Sequence, residues 1–450
     1  MAHSLIQKFS NHIDNNLPFL KTGSSIVALS GGLDSVVLAY LCKTIGLDMV
    51  FAHCNFKLRN EESDRDAKFV YALGSKLNVE TFIENFDTIA YAKSNKCSIQ
   101  VAARTLRYQW FKTLSLQLKC DYILTAHHAD DNLETFFIHV LRGTGLEGLL
   151  GIPEVNANVI RPLLCFSRTD IMAYAKHANI AWREDSSNAS VKYLRNKLRH
   201  EVIPILKGIN PQLLQNFDKT ISHLKASQSI INTSIHHISK HVIRQKGSQL
   251  YLDIEKIQNL DHPKAYMYEI LKNYGFTEWD DVVNLLEANS GKFVMSEDWR
   301  LIKDRKELIL AKKVIEPFKT KCITKNDSSI ALPIGTLYIE KVDNTRGSAH
   351  SDCIYVDADT LQFPLSVRTK KEGDVFFPLG MKGRKKLSKY FKDEKLSLIE
   401  KEQILLICSE DAIVWVIGKR ADQRFSVQPK SRNILKISLV LAIKEQKTNP

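Results

Sequence analysis

No two of the eight cysteines, Cys42, Cys54, Cys97, Cys120, Cys165, Cys322, Cys353 and Cys408, stand closer than a dozen residues, so the chain has no C-x-x-C pair. That excludes a local zinc knuckle and a thioredoxin-type redox pair, and it suits scattered reduced thiols. No apolar run is long enough to span a bilayer, and Met1–Leu20 lacks the basic start and unbroken apolar core of a signal peptide. A cytoplasmic protein with no membrane association is therefore expected. The Walker sequence G-x-x-x-x-G-K-[ST] is also absent, which excludes that way of holding a γ-phosphate. No internal repeat or long low-complexity tract occurs.

What is present is an ordinary globular composition, 44% hydrophobic and 25% charged over 450 residues, enough for two or three domains. Lys and Arg outnumber Asp and Glu by 63 to 50, a formal net charge of +13. Such an excess favours a polyanionic partner without saying which one.

Between Ile26 and about Leu206, short apolar runs alternate with amphipathic stretches. Strands are expected at Ile26–Leu29, Met49–His53, Glu80–Ile83 and Tyr122–Thr125, and helices at Ser35–Ile45, Glu61–Leu77, Ile99–Leu118 and Asp130–Leu141. This rhythm predicts an α/β domain over residues 1–208, built on a doubly wound parallel sheet that binds ligands beyond the carboxyl ends of its strands. Residues 209–315 read as a mainly helical middle domain with a strand-like tail at Leu301–Leu310. Residues 316–352 read as a connector, and 353–450 as a small, basic α+β domain with paired strands at Ile404–Cys408 and Ile413–Ile417.

The most informative stretch is Ser30-Gly31-Gly32-Leu33-Asp34-Ser35, set between an apolar strand and the apolar helix start Val36–Leu41. Two glycines let the backbone turn tightly and approach phosphate oxygens, and the free N–H groups of the helix start favour an anion. Ser30 and Ser35 add hydroxyls. An ordinary strand–turn–helix connection with serine caps is the plainer alternative. The loop resembles the pyrophosphate loop of the ATP pyrophosphatase superfamily, whose members cleave ATP between the α- and β-phosphates and adenylate a substrate.

A second cluster is Thr125-Ala-His-His-Ala-Asp-Asp-Asn-Leu-Glu-Thr135, opening a helix whose Leu133, Phe136, Phe137, Val140 and Leu141 form one apolar stripe. Asp131 and Glu134, three apart, share a face near its start. The helix dipole explains either carboxylate alone but not His127 and His128 before them. Two His beside clustered carboxylates also fit a metal site; next to an ATP loop, substrate and phosphate contacts are the preferred reading.

Further stretches follow in a consistent order: His53-Cys-Asn-Phe-Lys-Leu-Arg-Asn-Glu-Glu-Ser-Asp-Arg-Asp66, Ala103-Arg-Thr-Leu-Arg-Tyr108, Leu141-Arg-Gly-Thr-Gly-Leu146, Arg161-Pro-Leu-Leu164, Glu184-Asp-Ser-Ser-Asn188 and Arg195-Asn-Lys-Leu-Arg199. Taken together with the two clusters, they resemble the tRNA(Ile)-lysidine synthase family over about the first 205 residues. One departure is Phe56, where that family usually carries a second His.

The resemblance implies an ATP-dependent ligase acting on the wobble cytidine of a tRNA(Ile) with a CAU anticodon. The base is adenylated, pyrophosphate leaves, and the ε-amine of free L-lysine displaces AMP at C2. Ser30, Gly31, Gly32, Leu33, Asp34 and Ser35 are then expected to hold ATP, with Asp34 a ligand for Mg²⁺. Arg107 and His127 are expected at the α-phosphate, with Arg104 alternatively packed along its helix. Asp131 and Glu134 are expected at the lysine ammonium groups, Asp131 as the base. The basic stretch Arg368–Lys392, with Phe376, Phe377, Tyr390 and Phe391 interleaved, is expected to bind tRNA away from the anticodon through Arg368, Lys370, Lys371, Arg384, Lys385 and Lys386. A solvated charged loop is the alternative there. A homodimer is left open.

The rival readings are a tRNA thiolase of the same superfamily, a small-molecule amidotransferase, and a non-catalytic RNA-binding relative. The carboxylate pair and the missing C-x-x-C favour an amine nucleophile over sulfur delivery.

Overall fold

The computed structural model describes residues 2–59, 61–184, 194–313, 318–343 and 351–441. The chain folds as two compact units, Met1–Asn232 and Thr233–Pro450.

The first unit runs α1 (Ala2–Asn16), β1 (Ser25–Ala28), α2 (Leu33–Thr44), β2 (Met49–Asn55), α3 (Glu61–Leu77), β3 (Thr81–Asn85), α4 (Thr88–Ser94), α5 (Ile99–Leu118), β4 (Tyr122–Leu124) and α6 (Ala129–Arg142). It continues with α7 (Leu146–Leu149), β5 (Val155–Asn156), β6 (Val159–Ile160), α8 (Arg168–His177), α9 (Leu194–Lys197), α10 (Ile203–Ile209) and the start of α11 (Leu213–Val242). The sheet order is β3-β2-β1-β4-β6-β5, parallel except for the edge strand β5. The doubly wound sheet expected from the strand–helix rhythm is therefore present.

Alternate residues of the central strands feed two separate cores, as the two-residue period of a strand requires. Val27, Leu29 and Phe51 pack with Phe9, Val37, Leu41 and Ile171 on one face. Ile26, Ala52 and Ile123 pack with Phe111 and Leu114 of α5 on the other. The β1-α2-β2-α3-β3 run builds outward in one direction, and the chain then returns through α5 to place β4 on the far side of β1. The sheet reverses between β1 and β4, and at such a reversal the two connections leave opposite faces and open a crevice. Both motif clusters follow these two strands.

In the second unit, β7 (Ile243–Lys246), β8 (Gln249–Asp253), α12 (Ile254–Gln258), α13 (Pro263–Leu271), α14 (Trp279–Asn284), β9 (Phe293–Met295), β10 (Trp299–Asp304) and β11 (Glu307–Lys312) form an antiparallel sheet backed by helices. The strand-like tail at Leu301–Leu310 is a hairpin, turning at Arg305 with φ +50°. The middle region is helical as expected, with a five-stranded sheet beside its helices that the sequence reading caught only at this hairpin.

Beyond it come β12 (Lys321–Ile323), β13 (Ser329–Leu332), β14 (Gly335–Val342), β15 (Cys353–Asp357), β16 (Leu365–Thr369), β17 (Val375–Phe376), β18 (Lys385–Lys386), α15 (Leu387–Asp393), α16 (Leu398–Gln403), β19 (Leu405–Ser409), β20 (Ala412–Val416) and β21 (Ile434–Leu441). Two four-stranded sheets share the core around Trp415, Val367 and Ile437. Among the described residues, no helix is long and apolar enough to cross a membrane.

Candidate active site

Strand β1 ends at Ala28, and the chain turns through Ser30–Gly32 into α2. Gly31 sits at φ +90°, a conformation that an L side chain strains to adopt. The serine hydroxyls bond within the turn. Ser35 Oγ donates to the Gly32 carbonyl at 3.0 Å and accepts from Ser30 N at 3.1 Å, and it lies 2.9 Å from Ser30 Oγ. Ser35 is buried, so it braces the loop, while Ser30 is exposed. Gly32 provides no side-chain cap for α2, which leaves the helix start open to an anion.

Asp34, in the first turn of α2, is the electrostatic oddity of the loop. Its Oδ1 is buried without a hydrogen-bond partner. Burial pushes its carboxyl above the usual range, and the negative charge of Asp131 adds to this against the pull of His128.

Strand β4 delivers the second cluster. His128 caps α6: its Nδ1 accepts from Asp131 N at 3.3 Å, and its own N–H donates to Asp131 Oδ2 at 3.1 Å. Because Nδ1 accepts, the proton of a neutral ring sits on Nε2. That atom lies 3.7 Å from Asp34 Oδ2 and 3.4 Å from Asp131 Oδ2, with the ring 2% exposed. One imidazole therefore ties the phosphate loop to the acidic helix. His127, beside it, contacts Thr125 Oγ1 through Nδ1 at 3.1 Å. Burial drives its pKa down to about 4, so it is uncharged at neutral pH.

Asp131 and Glu134 do share a face of α6, and both are already engaged. Arg199 donates from Nε to Glu134 Oε1 at 2.6 Å, and from Nη2 to Glu134 Oε2 and Asp131 Oδ1, both at 3.0 Å. Arg195 Nε donates to Glu134 Oε2 at 2.8 Å. Burial alone would raise the Asp131 carboxyl, but His128, Arg195 and His127 together outweigh it and hold it below the usual range. Asp130 is paired with Lys207 and accepts from Arg168 N at 2.8 Å. Arg195 and Arg199 carry no assigned role in the sequence reading. Their i, i+4 spacing was a visible signal for one face of a helix, but not for which acids it would meet.

Arg107 lies on α5 with its guanidinium 5.3 Å from the centroid of the Phe56 ring. Arg104 stacks on Tyr108 at 5.1 Å. Among the described residues, no group of three or more His, Cys, Asp or Glu is placed to hold a metal by itself. A single cation shared with phosphates fits better, because the orphaned Asp34 Oδ1 is a hard oxygen donor with a free lone pair. Asp185 to Asn188, part of a motif noted above, lie outside the described residues.

In the second unit the basic stretch divides in two. Arg368 is buried, donating from Nη1 and Nη2 to the two Asp374 oxygens at 2.8 Å each. The RNA contact expected of it is corrected, because a guanidinium so paired and covered has no edge left for phosphate. Phe376, Tyr390 and Phe391 are core residues and cannot stack on bases. Lys385 pairs with Asp393 at 2.7 Å. Lys370, Lys371, Arg384 and Lys386 are exposed.

A PP-loop domain family matches residues 1–206, a TilS substrate binding domain residues 245–313, and a TilS substrate C-terminal domain residues 365–439. The chain is 40% identical over 428 residues to a tRNA(Ile)-lysidine synthase of Parabacteroides distasonis, covering 92% of this chain and 95% of that protein. It is 34% identical to that of Bacteroides thetaiotaomicron, covering 96% and 99%, and 35% identical to that of Porphyromonas gingivalis, covering 90% and 92%.

Proposed function

The chain belongs to the tRNA(Ile)-lysidine synthase family, and on that premise we propose that it joins free L-lysine to C2 of the wobble cytidine of a CAU-anticodon tRNA(Ile). ATP is cleaved to AMP and pyrophosphate, and the adenylated base is the intermediate. The observation that carries this reading is the His128 imidazole, 3.7 Å from Asp34 Oδ2 and 3.4 Å from Asp131 Oδ2. Phosphate chemistry and amine chemistry need to meet at one atom, and this contact brings the two motifs together.

In this scheme Ser30, Gly31, Gly32, Leu33 and the open start of α2 hold the pyrophosphate, with Ser35 bracing the turn. Asp34 Oδ1 is the ligand left for Mg²⁺, which when bound neutralises charge between the phosphates. Arg107 and uncharged His127 act at the α-phosphate, where charge builds as the adenylate forms and breaks. Lysine arrives as an ammonium of pKa about 10.4 and has to lose a proton before it can attack. Asp131 receives that proton. Its lowered carboxyl pKa makes it a weak base until a guanidinium withdraws, and Arg195, with 41% of its side chain exposed, is the one able to move. Glu134 is wholly taken up by arginines and acts through them. Lys370, Lys371, Arg384 and Lys386 contact tRNA phosphates. The thiolase alternative lacks a thiol suited to it at this site: Cys54 is pushed up to about 12 by burial.

The test is incubation with ATP, radiolabelled lysine and a CAU-anticodon tRNA(Ile) transcript. Label enters RNA only with ATP, and fails to enter with Asp34→Ala or Asp131→Ala. Labelling without ATP, or of any RNA offered, defeats the proposal.

A further inference from the structure

We propose that Phe56 is a positioning residue for Arg107: its ring holds the guanidinium by its face at the carboxyl end of β2 and leaves the N–H edges free for an anion. This rests on the reading of Arg107 as an α-phosphate contact and deepens it.

The ring itself is fixed from several sides. Phe86 stacks on it, with centroids 5.7 Å apart and planes 23° apart, and Trp110 meets Phe86 edge-on at 6.2 Å. The backbone of Phe56 is held by Thr88 Oγ1, which donates to its carbonyl at 3.0 Å. On either side, Phe86 N donates to the Asn55 carbonyl at 2.9 Å, and Lys57 N donates to Asn55 Oδ1 at 3.1 Å. Asn55 is buried and donates to Asp64 Oδ1 at 3.0 Å. The aromatic platform is therefore a built feature of the β2 and β3 ends.

Its location follows from the sheet. β2 pairs in parallel with β1, so the segment after Asn55 and the loop after Ala28 emerge on the same side, about 5 Å apart at the strands. His53 links them directly, its ring Nδ1 lying 2.8 Å from the Leu29 carbonyl one residue before the phosphate loop.

The way Arg107 is held also matters. Among the described residues no carboxylate lies within ion-pair distance of it, in contrast to Arg195 and Arg199. A carboxylate would engage the in-plane N–H fork that binds phosphate. An aromatic face attracts the cation from above and leaves that fork unused. Phe56 thus orients the charge without competing for its donors.

The experiment uses the full chain with Phe56→Leu, Phe56→Tyr, Arg107→Ala and the Phe56→Leu/Arg107→Ala double variant, titrating ATP and then lysine in the lysine-incorporation assay. Phe56→Leu keeps the apolar bulk but loses the π face, and is expected to raise KM for ATP about two- to fivefold. Phe56→Tyr restores the wild-type value, KM for lysine stays put, and the Leu change adds nothing once Arg107 is Ala. A Phe56→Leu effect that persists in the Arg107→Ala background, or that shifts both KM values alike, overturns the proposal in favour of plain loop packing. So does a Phe56→Leu protein with wild-type KM for ATP while Arg107→Ala is defective, which leaves the role of Arg107 standing. If Arg107→Ala itself behaves as wild type, the α-phosphate reading fails and the positioning role falls with it.

Discussion

Replacing Glu134 by Gln separates two accounts of the acidic helix. Glu134 is 1% exposed and accepts three N–H bonds from two arginines, so its charge is committed before any substrate arrives. Arg195 is 41% exposed, and screening limits its share to at most about 1 kcal/mol. Arg199 is only 19% exposed; removing the buried partner of such a charge costs roughly 3–5 kcal/mol, and the low end applies because Asp131 remains beside it. A loss of about 3 kcal/mol in a domain of this size lowers the unfolding midpoint by roughly 6–12 °C. Differential scanning calorimetry of the full chain reads this as a shift of one transition, with that of the second unit unmoved. An unchanged midpoint combined with a large rise in KM for lysine would refute the reasoning. In that case Glu134 meets the lysine ammonium directly and its resting ion pairs contribute nothing.

Three further outcomes are expected. Asp34→Asn removes the charge of a half-buried carboxylate whose Oδ1 has no partner, so it should abolish pyrophosphate release while raising the thermal midpoint; a fall in both contradicts the burial argument. Acidification should loosen the first unit through Asp130 and Asp131, whose folded-state pKa values lie below the ordinary 3.8. Their contribution is full above that value and is lost as pH falls through the lowered ones, so Asp130→Asn should flatten the acid limb of a stability–pH curve. In the basic stretch, Arg368→Ala should destabilise the second unit by about 3 kcal/mol or more with no change in the salt slope of tRNA binding. Arg384→Ala should leave stability alone and reduce that slope by about one phosphate contact, as filter binding across a salt series would measure.

Much of the first unit was legible because strand and helix periods differ and both clusters sit where those periods change. Glu61–Leu77 and Ile99–Leu118 have the bounds expected from their amphipathic runs, while Ser98, which caps the second, was not singled out in the sequence. The N-terminal helix α1 and the short strands β5 and β6 were not foreseen. Two-residue strands carry no period to detect, and they exist only because β4 offers an edge to pair with. The basic stretch misled for a related reason. Arg368 and Arg384 look alike in sequence, and only the packing of β16 onto β19 buries the first and leaves Asp374 as its partner.

The sequence by itself determined the chemistry on offer: a glycine turn that can approach phosphate, a histidine doublet, and acids three apart on one helical face. These are local properties, set by backbone freedom and helical pitch over a few residues. Only the tertiary structure decided what those groups face, because the order of strands brings β1 and β4 together across some 90 residues of chain. That juxtaposition put His128 between Asp34 and Asp131, the packing of α9 and the turn after it on α6 closed two arginines over Glu134, and the place of α5 beside the end of β2 set Phe56 against Arg107. Contacts of this kind depend on which elements share a sheet edge, and no spacing along the chain encodes that.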